Sequence, residues 1–566
     1  MTNYWTDPRR GYLTRRRLLA AGAASAVGAS SLALVGCGDD DDDDNGNGGG
    51  GTTTATGTPQ AATPKAGGTL RGLTIISSNL DPHRTTATIA FGRIYSKLMR
   101  YSTSEPGRIE ADLAASLPEV APDGVTITFK LRPEAKWQNK APVNGRAVTA
   151  EDVKLSFERI KDPKTVSPRA GLYANVDSIS VVDPLTLQFK LKVPQADIFA
   201  IMSDLFMDVL PKEISSRGLE AIRGIEDVIG SGPYEMTGFE AAQKAALKRR
   251  ADGHWRPNTA WLDGYDYLHQ TNPQQLANAI RADQADSVGL PVDIASAFTD
   301  PKKFTITQAP SAIKECLVIN HGKDRYKDPK VRLALSRAIN RKMVYETVYA
   351  GGGSPSGPMT TAGPFWALSE AELAKLPGYG DRATEIKEAK ALLSAAGFPN
   401  GFDETILSIT AFELDKVHEV VVSNLKDVGI TVRTENVGTD VAANMLPRLV
   451  KGEFNLATFG FASGAYPDAQ LMLYHHSDTK SKGSRNYSGY SNPDLDKKLE
   501  RQSTMYDEQE RLPLVKEIQT DIINAPGPAW IGVRTAFGVS SARLKNVKSF
   551  GFNAEHYDSE NVWIEA

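Results

Sequence analysis

Val125-Thr126-Ile127-Thr128-Phe129-Lys130-Leu131-Arg132 alternates apolar and polar residues, so every second side chain falls on one face of an extended ribbon. Thr186-Leu187-Gln188-Phe189-Lys190-Leu191-Lys192 repeats the pattern, and both stretches read as half-buried strands of antiparallel type. The sequence between them predicts a helix. Thr149 followed by Asp152 has the form of a capping box, and Val153, Phe157 and Ile160 then share one face at helical spacing. Further along, Val331 to Val348 predicts a helix with Leu335, Ala338, Ile339 and Val344 inward, and Thr384 to Ala396 a second, capped by Thr384 and stopped by Gly397. Phe454 to Phe461 predicts a strand. Cys316-Leu317-Val318-Ile319 is strand-like, with Cys316 expected as a buried structural thiol. Interleaved strands and helices give an α+β or α/β chain with several lobes.

At about 150 residues per domain, 566 residues hold roughly three or four structural units. With 41% hydrophobic and 23% charged residues, the chain is not mainly disordered, collagenous or multi-span membrane protein. The net charge of −3 conceals a segregation: residues 1–36 carry five arginines against one aspartate, and Asp39 to Asp44 is an unbroken acidic run. The body is left close to neutral, without the basic face that nucleic acid demands.

Thr14-Arg15-Arg16-Arg17-Leu18-Leu19 sets a twin arginine before an apolar, Ala/Gly/Ser-rich stretch that ends in Leu34-Val35-Gly36-Cys37, and this reads as a targeting segment. It resembles a bacterial twin-arginine export signal joined to a lipoprotein signal. That resemblance implies loss of residues 1–36 and a diacylglyceryl group on Cys37. Two acyl chains provide the two-signal membrane anchoring that one cannot, placing the body outside the cytoplasmic membrane, in the periplasm or on the cell surface. The alternative is an uncleaved anchor, since about 19 weakly apolar residues can just span a bilayer. The aspartate run and the Gly/Thr/Ala/Pro-rich sequence up to Lys65 cannot bury enough apolar surface to fold, so 37–65 is expected to be a tether; it lacks the glycine and spaced ligands of a calcium loop.

Catalytic machinery is missing. No histidine pair has the i, i+4 spacing of a zinc hydrolase helix, and there is no Cys-x-x-Cys, no Gly-x-Ser-x-Gly elbow and no phosphate loop. His475-His476 point apart on any regular element and read as polar surface. No metal, cofactor or catalytic residue is expected.

Gly67-Gly68-Thr69-Leu70, Asn79-Leu80-Asp81-Pro82, Leu131-Arg132-Pro133 with Trp137, and Thr149-Ala150-Glu151-Asp152-Val153 occur in that order. They are followed by Gly230-Ser231-Gly232-Pro233-Tyr234, by Asn320 with Asp328-Pro329-Lys330-Val331-Arg332, and by Gly489-Tyr490-Ser491-Asn492-Pro493-Asp494. Over about 66–566 this series resembles the peptide/nickel class, family 5, of extracellular solute-binding proteins that serve ABC importers. The resemblance implies an α/β, periplasmic-binding-protein-like fold of two lobes joined by a hinge, with an extra subdomain inserted in the first. Lobe I would take 66–90, 226–310 and 531–566, the insert 91–225 and lobe II 311–530, with hinge crossings near Ala309 to Asn320 and Pro528 to Ala536. It further implies a monomer that closes on a peptide-like or other small polar solute and delivers it to ABC permease and ATPase subunits. A surface sensor without a transport partner and a secreted hydrolase are the rival readings.

Family-like cleft segments supply the candidate ligand contacts Phe91, Asn320, Phe459, Phe461, Tyr466, Asp468 and Asn486. Phe459 and Phe461 also suit a core strand, Trp137 suits packing in the insert, and Arg332 suits a carboxylate pair at the lobe surface. Where peptide-binding relatives carry an aspartate for the peptide α-ammonium, this chain has Ala465 before Tyr466-Pro467-Asp468. A sugar, an opine-like compound or a metal chelate therefore stands beside peptide as the expected ligand.

Overall fold

The alternation at Val125–Arg132 becomes the strand Thr126–Lys130, with Ile127 and Phe129 inward, and Thr186–Leu191 lies directly beside it, antiparallel, Phe129 opposite Leu187. With Glu119–Val120 and Val176–Asp183 they form a four-stranded sheet. The helix Ala150–Lys161 covers it through the expected residues: the Phe157 ring stands edge-on to Phe189 at 5.2 Å and to Tyr173 at 5.1 Å. The capping box forms as read, Thr149 and Asp152 satisfying each other's backbone amides. Trp137 is fully buried and donates its indole N–H to Asp152.

In this computed structural model the described residues are 63–85, 91–102, 105, 108–204, 206–361, 364–411, 413–462, 464–479, 484–548 and 561–565. The twin-arginine stretch, Cys37 and the aspartate run lie outside them. Lys65–Ala566 forms one compact unit.

Among the described residues the main sheet has 11 strands. One half runs Ile430–Asn436, Phe402–Ser408, Leu456–Ala462, with the short strand Gly353–Pro355 paired to Pro528–Ser541; the other runs Ser287–Leu290, Thr69–Thr74, Gly264–His269, Lys244–Arg249, Tyr234–Glu240. Between the halves lie Phe304–Ile319, of 16 residues, and Pro528–Ser541, of 14, antiparallel to each other. Phe304 to Pro310 pairs with Ser541 to Thr535, and Lys314 to Val318 with Val533 to Pro528; between Pro310 and Lys314 the register breaks. Proline has no N–H for the ladder and three residues here face only Arg534, so the pairing cannot continue unbroken. The sheet is thus two half-sheets, a two-lobed α/β arrangement sharing only these two strands.

Gly230 and Gly232 explain their motif. A Cβ on either would collide with the backbone of Arg93 or Ile94, and Gly232 N–H donates to the Ile94 carbonyl at 2.8 Å. The helix expected over Val331 to Val348 is instead two helices, Pro329–Ala338 and Arg341–Thr347. Ile339 between them is extended, and the Asn340 side chain accepts from Met343 N–H as the second helix's cap. The inward residues are buried as expected, which is why periodicity hid the break. The next helix, Arg382–Ala395, is capped by Asp381 and not by Thr384, whose amide donates to the Asp381 carboxylate at 3.1 Å; Gly397 ends it at φ +89°.

Cys316 is completely buried, and burial pushes its thiol well above the usual range. Peptide-mapped alkylation of the native protein should leave Cys316 unlabelled until denaturant is added; rapid native labelling would contradict this packing.

Candidate functional site

Residues that precede the first long strand meet residues lying between the two long strands in one cluster. Tyr101 approaches Tyr466 at 6.5 Å, and Tyr466 approaches Trp366 at 5.9 Å between ring centroids. Arg108 pairs with Glu508 at 2.8 Å and lies over the Phe365 ring. Ala196 N–H donates to the Ser503 carbonyl at 2.7 Å, and the Tyr506 hydroxyl donates to the Gly124 carbonyl at 2.9 Å.

The charged centre of this contact is Asp197, Arg511 and Asp468. Arg511, fully buried on the helix Glu508–Asn524, donates to Asp197 at 2.7 Å and to Asp468 at 3.3 Å, and also to the Gln502 side-chain carbonyl. Gln502 in turn donates to Asp468 at 2.6 Å, while Asp468 N–H donates to the other Asp197 oxygen at 2.6 Å. Two carboxylates share one guanidinium. Burial, and then the charge of Asp197, push the Asp468 carboxyl up to about 7.

The other candidates are placed as follows. Phe459 and Phe461 are two apart on Leu456–Ala462 and share a face, their rings 5.2 Å apart within the same apolar cluster as Tyr466 and Trp366. Phe461 also meets Tyr474 at 4.5 Å, Trp530 at 5.6 Å and Tyr487 at 5.9 Å. Asn320 ends the first long strand; its amide donates to the Gly452 and Phe454 carbonyls and its oxygen accepts from Gly322 N–H. Asn486 is buried, donating to the Tyr490 carbonyl at 2.7 Å and accepting from Ser488. Phe91 belongs to a different cluster, with Ile94, Tyr95, Tyr234 and Tyr265. The structure therefore gathers Phe459, Phe461 and Tyr466 with Asp468 near them, and sets Phe91 apart.

Two expectations are corrected. His475 and His476 are buried, not polar surface: His475 sits 5.7 Å from the Trp530 ring, held neutral down to about 3 by burial and then by Lys314, while His476 turns away toward Asp496 and Glu500. Arg332 is buried and donates to the Tyr326 and Lys327 carbonyls, and among the described residues no carboxylate lies within ion-pair distance of it.

Sequence reading passed over Lys314, Trp366, Trp530, Asp197 and Arg511. Lys314 is completely buried beside the register break, its Nζ 3.9 Å from the Trp530 ring centroid and donating to the Pro358 carbonyl, and burial pushes its pKa well below the ordinary lysine value. Adjacent Glu315 faces the other side of the sheet, near Tyr349 and Arg534, and burial pushes its carboxyl up to about 7. Among the described residues no group of three or more His, Cys, Asp or Glu could hold a metal ion, and no helix is long and apolar enough to cross a membrane.

Residues 108–484 match the model of the bacterial extracellular solute-binding proteins, family 5, middle region. The chain belongs to that family. A family 5 relative, the glutathione-binding protein GsiB of Salmonella typhi, is 27% identical over 440 residues, covering 76% of this chain and 81% of its own. The periplasmic binding protein DppA of Helicobacter pylori, solved with the peptide STSA and described as ABC transporter-associated, superposes with a TM-score of 0.68. It is 25% identical and covers 89% of this chain and 99% of its own. HbpA2 of Haemophilus parasuis shares the fold at a TM-score of 0.75 and 21% identity, covering 88% of this chain and all of its own at 100%. As a family 5 protein the chain is an extracytoplasmic binding protein of the ABC importer type, and its relatives are binding proteins, not enzymes.

An acid whose folded pKa lies above its ordinary 3.8 keeps its proton longer when native, so this stabilisation is complete below that value and is lost as pH rises through about 7. Asp468→Asn has no such proton to lose. Its melting temperature should gain on that of the wild type between about pH 5 and about pH 8; a constant difference across that range would show that Asp468 titrates normally.

Proposed function

We propose that this family 5 protein is a lipid-anchored receptor that captures a peptide-like or other small polar solute between its lobes and hands it to an ABC permease. The observation that carries the reading is the pairing of a two-strand crossing, broken at Pro310 to Lys314, with an aromatic and ionic contact that joins chain on either side of it. Such a body opens and closes by changing two strands, and closure is favoured only by the ligand's differential affinity for the closed state. GsiB is named for glutathione and DppA was solved with a peptide, which supports peptide-like solutes. Ala465, buried in the apolar cluster, offers no carboxylate to an α-ammonium, and Asp468 is engaged by Arg511 and Gln502. This favours solutes that do not depend on a free amino terminus, opine-like compounds and sugars included. The lobe and insert boundaries are those implied by the family resemblance. Lipid attachment at Cys37 is supported by the small residues before it and by the polar tether after it.

Mass spectrometry of material released from natively purified protein identifies the solute. Adding it back at about 100 times Kd should stabilise the fold by about 2.7 kcal/mol, and solution scattering should show a smaller radius of gyration. Cys37→Ala should leave the membrane fraction. A broad panel of peptides, oligosaccharides, opines and chelates producing neither stabilisation nor contraction would overturn the proposal.

A further inference from the structure

We propose that Lys314 is the anchor for an acid group on the captured solute, so that the site selects ligands carrying a carboxylate; this deepens the solute-capture reading and rests on it. Lys314, Cys316 and Val318 lie on one face of the first long strand, against the apolar cluster that holds Trp366, Phe461, Tyr466 and Trp530. Among the described residues no carboxylate lies within ion-pair distance of Lys314; its partners are the Pro358 carbonyl and the Trp530 ring. The other fully buried lysine behaves differently: Lys97 has the buried carboxylate of Asp208 at 2.8 Å. The buried Arg159 has Asp81, and Arg511 has both Asp197 and Asp468.

Burial strips the Lys314 amine of water and, with no anion beside it, pushes its pKa well below the ordinary lysine value, so an arriving acid group would both pair with the amine and restore its charge, whereas an apolar side chain would serve packing alone better. Its neighbours point the same way. Trp530 Nε1 and His475 Nε2 are both buried without a hydrogen-bond partner, in the cluster where Lys314 lies over the Trp530 ring. A carboxylate reaching this point would meet the ammonium, and the indole N–H and imidazole lie beside it as further polar groups, in an apolar surround where charge-assisted hydrogen bonds are strong. Lys314 is the first paired residue beyond the register break, opposite Phe461, whose strand leads on to Ala465 and Tyr466 at the contact with Tyr101.

The test compares wild type, Lys314→Met and Lys314→Gln, which keep most of the chain length and remove the amine. Unfolding is followed without additions, and calorimetry measures binding of glutathione, of the peptide STSA and of the same compounds with their carboxylates converted to amides. Both variants should melt at or above the wild-type temperature, since a desolvated amine without an anionic partner has gone. Free acids should bind wild type about 100-fold more tightly than either variant, while amides should not distinguish the three proteins. A clear fall in melting temperature in both variants would mark Lys314 as structural and overturn the proposal. So would equal acid affinities for all three proteins, which would leave solute capture standing. If neither acids nor amides bind wild type, the peptide-like form of solute capture falls and the carboxylate anchor falls with it.

Discussion

Among the described residues the chain passes between the two half-sheets along Phe304–Ile319 and Pro528–Ser541, and the register joining those strands shifts at two places, between Pro310 and Lys314 and between Glu315 and Cys316. Two extended segments resist stretching but tolerate twist and bending where pairing is lost. Each half has an apolar cluster of its own, and a further buried cluster is common to chain from both sides of the crossing, where Tyr101 and Ala200 pack with Trp366, Tyr466 and Trp530. The polar centre of that shared contact is Asp197, Arg511 and Asp468.

That centre is unusual in its charge balance. Most buried cations here are matched by an acid, as in Lys97 with Asp208 and Arg159 with Asp81. Arg511 has two acids, so the contact between Asp197 and Asp468 carries a surplus of negative charge and holds a proton more tightly than an exposed pair would. Lys314 has no acid beside it, and burial pushes its pKa well below the ordinary lysine value; unlike Arg332 and Arg341, which are also buried without an acid but donate to several backbone carbonyls, it has a single carbonyl and an aromatic face.

Local rules were legible wherever a short segment decides its own structure. The capping box at Thr149 and Asp152, the alternation through Phe129 and Phe189, and the burial of Cys316 follow from spacing alone. Asn340 carried a readable signal that the continuing apolar period masked, since a helix pair that buries the same face looks like one helix. The site was legible only in part. Phe459, Phe461 and Tyr466 stood out as aromatics near a strand end, but Asp197 and Arg511 are 314 residues apart and meet only through the fold. His475 and Arg332 were misplaced for a related reason: a polar side chain reads as surface unless the tertiary partners that accept it, here an aromatic cluster and two backbone carbonyls, are known.

Lys314 and Glu315 are neighbours on one strand, immediately past the break, and alternation sends them to opposite faces. One lies against Trp530, and the other faces the side of the sheet where Tyr349 and Arg534 lie. Both side chains therefore sit on a strand that joins the halves, beside the shifts in its register. On the proposed reading, in which the halves close on a solute, an anion drawn to Lys314 is held on one of the two strands that join them, so the free energy of recognising it acts on that strand. This is the most direct route by which binding one small charged group could bias a body of this size, because it requires no relay through either core.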